Sequence, residues 1–385
     1  MDFSPGRKPI SGATQTCYVR DVGDGNYGEV MSRFRLLPTD GQEEALLGHC
    51  RDARYVWNLA VEQQALRDFA QAMRNFFSGT HRRPTWRKAG VHEGFRQVAL
   101  KPRHVERVNR RFGRVWLPKV GWVRFRASRP VPAGVKSYRV TRDRAGRWHV
   151  AFAHVPDPIA GPGDRSVVGI DRGVAVAAAL STGELLRAPG LSFGEAKRLK
   201  VLQQRLARAN RGSNRRAYTK LAIAKLKART ADRRKDWVEK VTTDLARRFD
   251  VIRVEALDVR AMTRSARGTV EQPGTRVAQK RGLNRAISRS GWGLLAARLQ
   301  HKALGRVEQT PAAYTSQRCS GCGHVAPGNR KSQAVFQCEA CTAGRCNADV
   351  NAARNIAAGR AVTARGHLAS RQSANREPHL APPAA

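Results

Sequence analysis

The chain has 385 residues, and its 71 Lys and Arg outnumber its 30 Asp and Glu, which gives a formal net charge of +41. Hydrophobic residues make up 41% of it, enough to build folded cores, so a wholly disordered chain is excluded. The charge also argues against an ordinary metabolic enzyme, because such self-repulsion destabilises a compact fold unless a polyanion neutralises it. The composition therefore predicts two or three modules that bind nucleic acid.

The sequence predicts a cytoplasmic protein with no membrane partner. The apolar run near its middle, Val174 to Leu180, is far shorter than the roughly 18 residues that a membrane span needs. Residues 1–30 contain no apolar core of a secretory signal. The seven cysteines include two Cys-x-x-Cys pairs, a pattern that favours metal binding over disulfides in a reducing compartment.

Residues 1–30, rich in Gly, Asp and Pro, are predicted to form a loose leader. A short strand is predicted from Arg33 to Leu37. Thr39 and Gln42 then form a capping-box pattern, in which each side chain accepts a hydrogen bond from the other's backbone N–H. Apolar residues three and four apart predict a helix after this box, with further basic helix to about residue 110.

From Val115 to Phe152 apolar and cationic residues alternate, a period of two that is typical of strands. The turn Asp143-Arg-Ala-Gly146 separates two of these segments. Because one face is apolar and the other cationic, the pattern predicts a small antiparallel β-barrel whose outer face contacts phosphates.

A second module begins near residue 166. Its predicted strands are Ser166–Ile170, Val174–Leu180, Val251–Val254 and Val307–Tyr314, with a hairpin turn at Thr182-Gly183. Residues 195–250 read as two helices separated by residues 210–213, with 18 Lys and Arg against 6 Asp and Glu, which favours a pair lining nucleic acid. Residues 264–290 are predicted to be a mobile loop, a helix follows at Trp292, and the tail after about Gly359 is predicted to fray.

The strongest single motif is Cys319-x2-Cys322-x15-Cys338-x2-Cys341. Two such knuckles complete a tetrahedral site, which predicts one structural Zn²⁺ with no open position for a substrate. Cys346 is an alternative to Cys341 as the fourth ligand.

Three carboxylates form the second candidate site. Asp171 and Glu255 each end a predicted buried strand, and Asp349 opens the helical segment after the cysteines. Because strand ends converge at one edge of such a sheet, we expect the three side chains to lie together. Their mutual repulsion would be relieved by two Mg²⁺ ions, which suit carboxylate oxygens and a phosphodiester substrate. Asp258 is a weaker fourth candidate, and a turn role is favoured for it.

These residues resemble a known family. The resemblance lies in three segments: Val168-Gly-Ile-Asp171-Arg-Gly-Val174, the segment from Val251 through Glu255 to Val259, and the run from Tyr314 through the cysteines to Asn347-Ala-Asp349-Val-Asn-Ala-Ala-Arg-Asn355. These segments are similar to the split RuvC motifs and zinc ribbon of the TnpB (OrfB) family. That family is encoded by insertion sequences and is related to type V CRISPR effectors. The N-terminal strand and Lys136–Val140 with Gly146-Arg-Trp148 also resemble its wedge domain.

The resemblance implies an RNA-guided, Mg²⁺-dependent DNA endonuclease of a prokaryotic transposable element, with Asp171, Glu255 and Asp349 as metal-binding catalytic acids and the four cysteines as zinc ligands. Its partners would be a guide RNA from the transposon end and target double-stranded DNA beside a short flanking motif.

The fold that the resemblance implies is α/β: a RuvC/RNase H-like core with an inserted zinc ribbon, preceded by a wedge β-barrel that a helical recognition domain interrupts. The bounds are 31–40 and 111–158 for the wedge, 41–110 for recognition, 164–314 and 346–358 for the nuclease, 315–345 for the ribbon and 359–385 for the tail.

The sequence departs from the family pattern in two segments: Ala256 and Asp258 stand where members often carry an acid and Asn, and Thr-Ala-Gly-Arg follows Cys341 where Gly-His is usual. Three alternative functions stay open. One is a transposase that performs strand transfer with the same metal core. Another is a cleavage-inactive RNA-guided repressor or general basic binder, and the last is a compact CRISPR effector.

Overall fold

The computed structural model describes residues 31–63, 67–85, 88–91, 93–98, 100–269, 271–342 and 344–359. The predicted leader, and the predicted tail beyond Gly359, lie outside these residues. The described residues divide into two compact units, one built from 31–156 together with 199–226, the other from 157–198 and 227–359. No helix in the described ranges is long and apolar enough to cross a membrane.

The first unit is built on an antiparallel sheet of the strands β1 to β7 in the order β2-β6-β7-β1-β5-β4-β3. Closure of this sheet into a barrel stays a prediction. The elements before residue 157 are β1 (Met31–Leu37), α1 (Asp40–Gln63), α2 (Arg67–Phe77), β2 (Gly94–Val98), β3 (Val105–Arg107), β4 (Phe112–Leu117), β5 (Gly121–Arg126), β6 (Ser137–Arg142) and β7 (Trp148–Ala153).

The alternation of apolar and cationic residues builds the core of this unit. Phe34, Phe125 and Phe152 pack edge to face, and Val140 and Val150 pair across β6 and β7. These apolar side chains lie on the buried face of the sheet and the arginines between them face outward, because successive residues of a strand point to opposite faces.

The capping box ahead of α1 is confirmed: the Thr39 backbone donates to Gln42 Oε1 at 3.0 Å, and the Gln42 backbone donates to Thr39 Oγ1 at 3.4 Å. The expectation of helix to about residue 110 is wrong beyond Phe77. Residues 94–98 and 105–107 form strands β2 and β3 instead, because β6 and β4 offer them pairing edges that local helix propensity does not predict.

From residue 157 onward a mixed sheet has the order β10-β9-β8-β11-β12, in which β11 runs parallel to β8 and β12 while β9 runs antiparallel to its neighbours. The elements are β8 (Val167–Asp171), β9 (Ala178–Leu180), β10 (Leu185–Leu186), α3 (Phe193–Arg208), α4 (Asn214–Arg248), β11 (Val251–Glu255), α5 (Val259–Met262), α6 (Val277–Ser290), α7 (Trp292–Lys302), β12 (Val307–Thr310), β13 (Val335–Phe336), β14 (Cys346–Asn347) and α8 (Ala348–Ala357).

Three expectations in this part need correction. Residues 264–290 are not a continuous loop, since α6 occupies 277–290. The strand expected from Val174 is confined to Ala178–Leu180, and the one expected from Val307 ends at Thr310. The two basic helices, the hairpin turn at Gly183 and the helix from Trp292 are confirmed.

Candidate active site and cysteine cluster

Two of the three predicted acids end neighbouring parallel strands. Strands β8 and β11 pair so that Ile170 lies opposite Val254, and the following residues are Asp171 and Glu255. The side chains of Val168, Ile170, Ile252 and Val254 are buried in the core of the second unit, which fixes both strands and carries the two carboxyl groups to the same edge of the sheet.

The third acid lies in the first turn of α8. The Asn347 side chain caps this helix by accepting hydrogen bonds from the backbone of Asp349 at 3.0 Å and Val350 at 3.1 Å. Helix α8 packs on β8 so closely that a Cβ atom added to Gly169 would lie 2.0 Å from the Ala353 carbonyl oxygen. Gly169 thus permits the approach that holds Asp349 near the ends of the strands.

Asp171, Glu255 and Asp349, here called the carboxyl cluster, interact electrostatically through Asp171. Burial raises the pKa of Asp171 well above its ordinary value, and the negative charges of Glu255 and Asp349 raise it further. Burial also raises the pKa of Asp349, against the opposing charge of Arg330. Asp171 therefore lies near enough to Glu255 and Asp349 for their charges to disfavour its ionised form, and a cation beside it would offset that effect.

Two arginines border the cluster. Arg330 lies 3.4 Å from Asp349 Oδ1 through its Nη2 and also lowers the pKa of Asp171. Arg172 is buried, and its guanidinium donates to the backbone carbonyl of Glu255. Sequence reasoning missed both roles. For Arg330, between the two cysteine pairs, no sequence pattern distinguishes it from the many other arginines of the chain.

Asp258 stands apart from this cluster. It is exposed and caps the short helix α5, where its Oδ1 accepts a hydrogen bond from the Ala261 backbone at 3.0 Å. This agrees with the turn role that the sequence favours for it.

The structure brings Cys319, Cys322, Cys338 and Cys341 together, with their sulfur atoms all within 4.8 Å of one another. Among the described residues this is the only such group of three or more Cys, His, Asp or Glu ligand atoms, so the carboxyl oxygens of Asp171, Glu255 and Asp349 are not gathered as closely. Cys346 lies outside it and packs against it. Burial raises the pKa of Cys338, but hydrogen bonds from the Ala340 backbone and neighbouring cysteines outweigh it and lower the pKa to about 7, which favours a thiolate.

Three family models match the chain. OrfB_IS605, described as "Probable transposase", matches residues 149–266; "Cas12f1-like, TNB domain" matches 292–356; and the "Helix-turn-helix domain" HTH_OrfB_IS605 matches 32–67. These matches cover strands β8 and β11 with Asp171 and Glu255, and the segment with the cysteines and Asp349.

Curated relatives match most of the chain. InsQ of Escherichia coli (strain K12), named as a candidate RNA-guided DNA endonuclease, is 39% identical over 313 residues, which are 80% of this chain and 76% of that protein. A Streptomyces pristinaespiralis protein with a name of the same kind is 31% identical over 319 residues, 79% of this chain and 72% of its own.

Among solved structures, the Cas12f1–sgRNA–target DNA complex matches with a TM-score of 0.42 and 13% identity, over 82% of this chain and 81% of that one. The identity to InsQ over four-fifths of the sequence decides the assignment. The chain belongs to the TnpB (OrfB) family of insertion-sequence proteins.

Proposed function

We propose that the protein is an RNA-guided, metal-dependent DNA endonuclease of a transposable element, which cuts target DNA beside a short flanking motif. The observation that carries the proposal is that Asp171 and Glu255 end paired parallel strands while Asp349 lies in the first turn of the helix packed on β8. The charges of Glu255 and Asp349 also raise the pKa of Asp171. Membership of a family whose relatives are named for RNA-guided DNA cleavage supports it.

The donor set of this cluster fits Mg²⁺. Three carboxyl groups supply only oxygen ligands, the type that Mg²⁺ prefers alongside substrate phosphate. Asp171, Glu255 and Asp349 would hold two ions in the proposed site. Bound there, the ions would activate water and stabilise the leaving oxygen of a phosphodiester. The raised pKa of Asp171 supports this fit, since a nearby dication favours the ionised carboxylates that burial and repulsion disfavour.

The chain's own residues position and balance this site. The Arg172 guanidinium donates a hydrogen bond to the backbone carbonyl of Glu255 and so holds the backbone at the end of β11 in place. Arg330 offers a positive charge beside Asp349, where a phosphate oxygen of the substrate would also need one. Packing of α8 on β8 sets the separation between Asp349 and Asp171.

The four cysteines fit one structural Zn²⁺. Four sulfur ligands within 4.8 Å of one another are the donor set of a closed tetrahedral site, which leaves no position for substrate. We therefore assign the zinc a structural role and keep the chemistry with the carboxylates.

The proposed division of the chain follows the resemblance. The strand order β10-β9-β8-β11-β12 with mixed direction supports a RuvC/RNase H-like core at 164–314 and 346–358, and the cysteine segment supports a zinc ribbon at 315–345. The antiparallel sheet supports a wedge domain, with strands β2 and β3 added to its bounds. The helical recognition domain then reduces to α1 and α2.

A guide RNA and double-stranded target DNA are the proposed partners. A net charge of +41 suits two polyanions, and α4 carries exposed Lys225, Lys227 and Arg229 along one stretch. Such cationic side chains would contact the nucleic-acid backbone without reading its sequence, while base pairing with the guide RNA would provide sequence specificity.

The test is cleavage by the purified protein with its copurified RNA, Mg²⁺ and a matching DNA target. Asp171→Ala should abolish detectable cutting while DNA binding stays within a few-fold, because the loss of one acid impairs the metal site and leaves the basic surfaces that bind nucleic acid. Asp258→Ala, an exposed acid close by in the sequence, is the matched control. Equal cutting by wild type and Asp171→Ala, or a random mixture of copurified nucleic acid, would refute the proposal.

Strand transfer is the second candidate, favoured by the description of the family model as "Probable transposase". It uses the same acids and differs in that a 3′-hydroxyl attacks the phosphate in place of water. Joined transposon–target DNA among the products would establish transfer, and cut ends alone would establish hydrolysis.

A further inference from the structure

A buried hydroxyl links the carboxyl cluster to the segment that leads into the cysteines. Thr315 is 3% exposed, and its Oγ1 donates to Glu255 Oε1 at 2.9 Å. The Ala312 carbonyl lies within reach of the same hydroxyl at 3.1 Å. A hydroxyl has one proton to give, and an ionised carboxylate is the stronger acceptor, so the bond to Glu255 prevails when that side chain is charged.

Helix α8 holds the other side of this segment. Asn355 is buried, and its amide donates both of its protons, to the Thr315 carbonyl at 2.9 Å and to the Arg318 carbonyl at 2.8 Å. Asn351, one turn earlier and also buried, donates to the Arg318 carbonyl at 2.7 Å and accepts from the Ser320 backbone at 3.0 Å. Residues 315–320 are thus clamped between Glu255 and the helix that carries Asp349.

The clamp ends at the cysteine cluster. Cys319 lies between the two residues that Asn351 binds, and its backbone donates to His324 at 2.9 Å. A metal ion on the four sulfurs would fix Cys319 and with it the backbone that presents Thr315. The polypeptide chain and these hydrogen bonds therefore connect Cys319 to one oxygen of Glu255.

From this arrangement we propose that Thr315 is a positioning residue, which orients the Glu255 carboxylate for metal binding. The inference rests on the proposed function, since it assigns Glu255 to the metal site. Partners that orient metal ligands through hydrogen bonds typically change metal affinity by about 10- to 100-fold when removed.

The experiment compares Thr315→Val, which keeps the shape and loses the hydroxyl, with Thr315→Ser, which keeps the hydroxyl. Thr310→Val is the matched control: Thr310 is equally buried at 3% and pairs with Glu255 across the sheet, but its hydroxyl points to the Ile356 carbonyl at 3.5 Å. Glu255→Gln gives the reference for a lost ligand. Zinc content and thermal melting check that each variant folds.

Mn²⁺ binding to the RNA-free, zinc-loaded full chain is followed by electron paramagnetic resonance. We expect Thr315→Val to weaken it about 10- to 100-fold. The Mg²⁺ concentration for half-maximal cleavage should rise in parallel, with Thr315→Ser and Thr310→Val within about 3-fold of wild type. Unchanged Mn²⁺ affinity in Thr315→Val would overturn the proposal, as would equal losses in Thr315→Ser or Thr310→Val. If the wild type binds Mn²⁺ but cuts no DNA, the proposed function fails while the comparison of Mn²⁺ affinities still decides the role of Thr315.

Discussion

A single added methyl group at Gly169 should separate two of the three acids. A Cβ atom at this position would lie 2.0 Å from the Ala353 carbonyl oxygen and 2.3 Å from the Ala357 backbone nitrogen. Both neighbours are backbone atoms of α8, which cannot turn aside as a flexible side chain would. Ordinary contact begins at 3.4 Å, so the helix must retreat by about 3.4 − 2.0 = 1.4 Å.

The cost of this retreat has two parts. Overpacking of a close interface typically destabilises a protein by about 1–3 kcal/mol, so Gly169→Ala should lower the melting temperature by several degrees. The larger effect falls on catalysis, because Asp349 moves with α8 while Asp171 stays on β8. A displacement of about 1 Å in a reacting constellation costs about 100-fold in rate, and we expect a loss of that size or greater.

The assay is single-turnover cleavage at saturating Mg²⁺ and RNA, combined with thermal melting of the same preparations. Gly293→Ala in α7 is the control, because a Cβ atom there meets nothing within 4 Å and alanine favours a helix. If Gly169→Ala cleaves DNA and melts as the wild type does, α8 does not pack against β8 as closely as described. The explanation of how Asp349 is positioned would then be wrong.

Three further outcomes follow from particular residues. Atomic absorption should find one Zn²⁺ per chain in Cys346→Ser and much less in Cys341→Ser, because only Cys341 belongs to the sulfur cluster. Burial and a nearby arginine charge lower the pKa of His149 to about 4, so the unfolded state binds more protons below pH 6.5. Stability should therefore fall from pH 6.5 to 4 in melting experiments, and His149→Gln should flatten that slope. Asp258→Ala should cost about 0.5–2 kcal/mol of stability by uncapping α5 and leave cleavage within a few-fold. A loss of cleavage like that of Asp171→Ala would instead make Asp258 a fourth acid.

The parts of the fold that the sequence predicts are those coded by neighbouring residues. The capping box of Thr39 and Gln42 and the turn at Gly183 require particular residue types at fixed spacing, and both are found where expected. The ends of β8 and β11 were predictable for a related reason, because a buried apolar run that stops at an acid indicates the end of a buried strand.

The parts that the sequence does not predict depend on distant partners. Helix α6 buries only Ile287 and Ser290, so its apolar stripe is too weak to stand out from a basic segment. It is held instead by long-range hydrogen bonds, from Lys280 to the Met262 carbonyl and from Asn284 to the Thr263 carbonyl. Strands β2 and β3 are missed for the same reason, because each is defined by the edge that it pairs with.

The candidate site shows the same division. Residue type and position at a predicted strand end suffice to predict Asp171 and Glu255 as candidates, and both residues end strands in the structure. The surroundings of the acids are not local: Arg330 reaches Asp349 from the cysteine segment, and Thr315 reaches Glu255 from beyond β12. Such contacts appear only when the chain is folded.

The placement of α8 has a consequence for the timing of activity during synthesis. The helix with Asp349 is the last described element of the chain, whereas β8 with Asp171 precedes it by most of the second unit. Chains emerge from the ribosome N-terminal end first. A nascent polypeptide would thus expose the basic helices α3 and α4 before the helix with Asp349 had been synthesised.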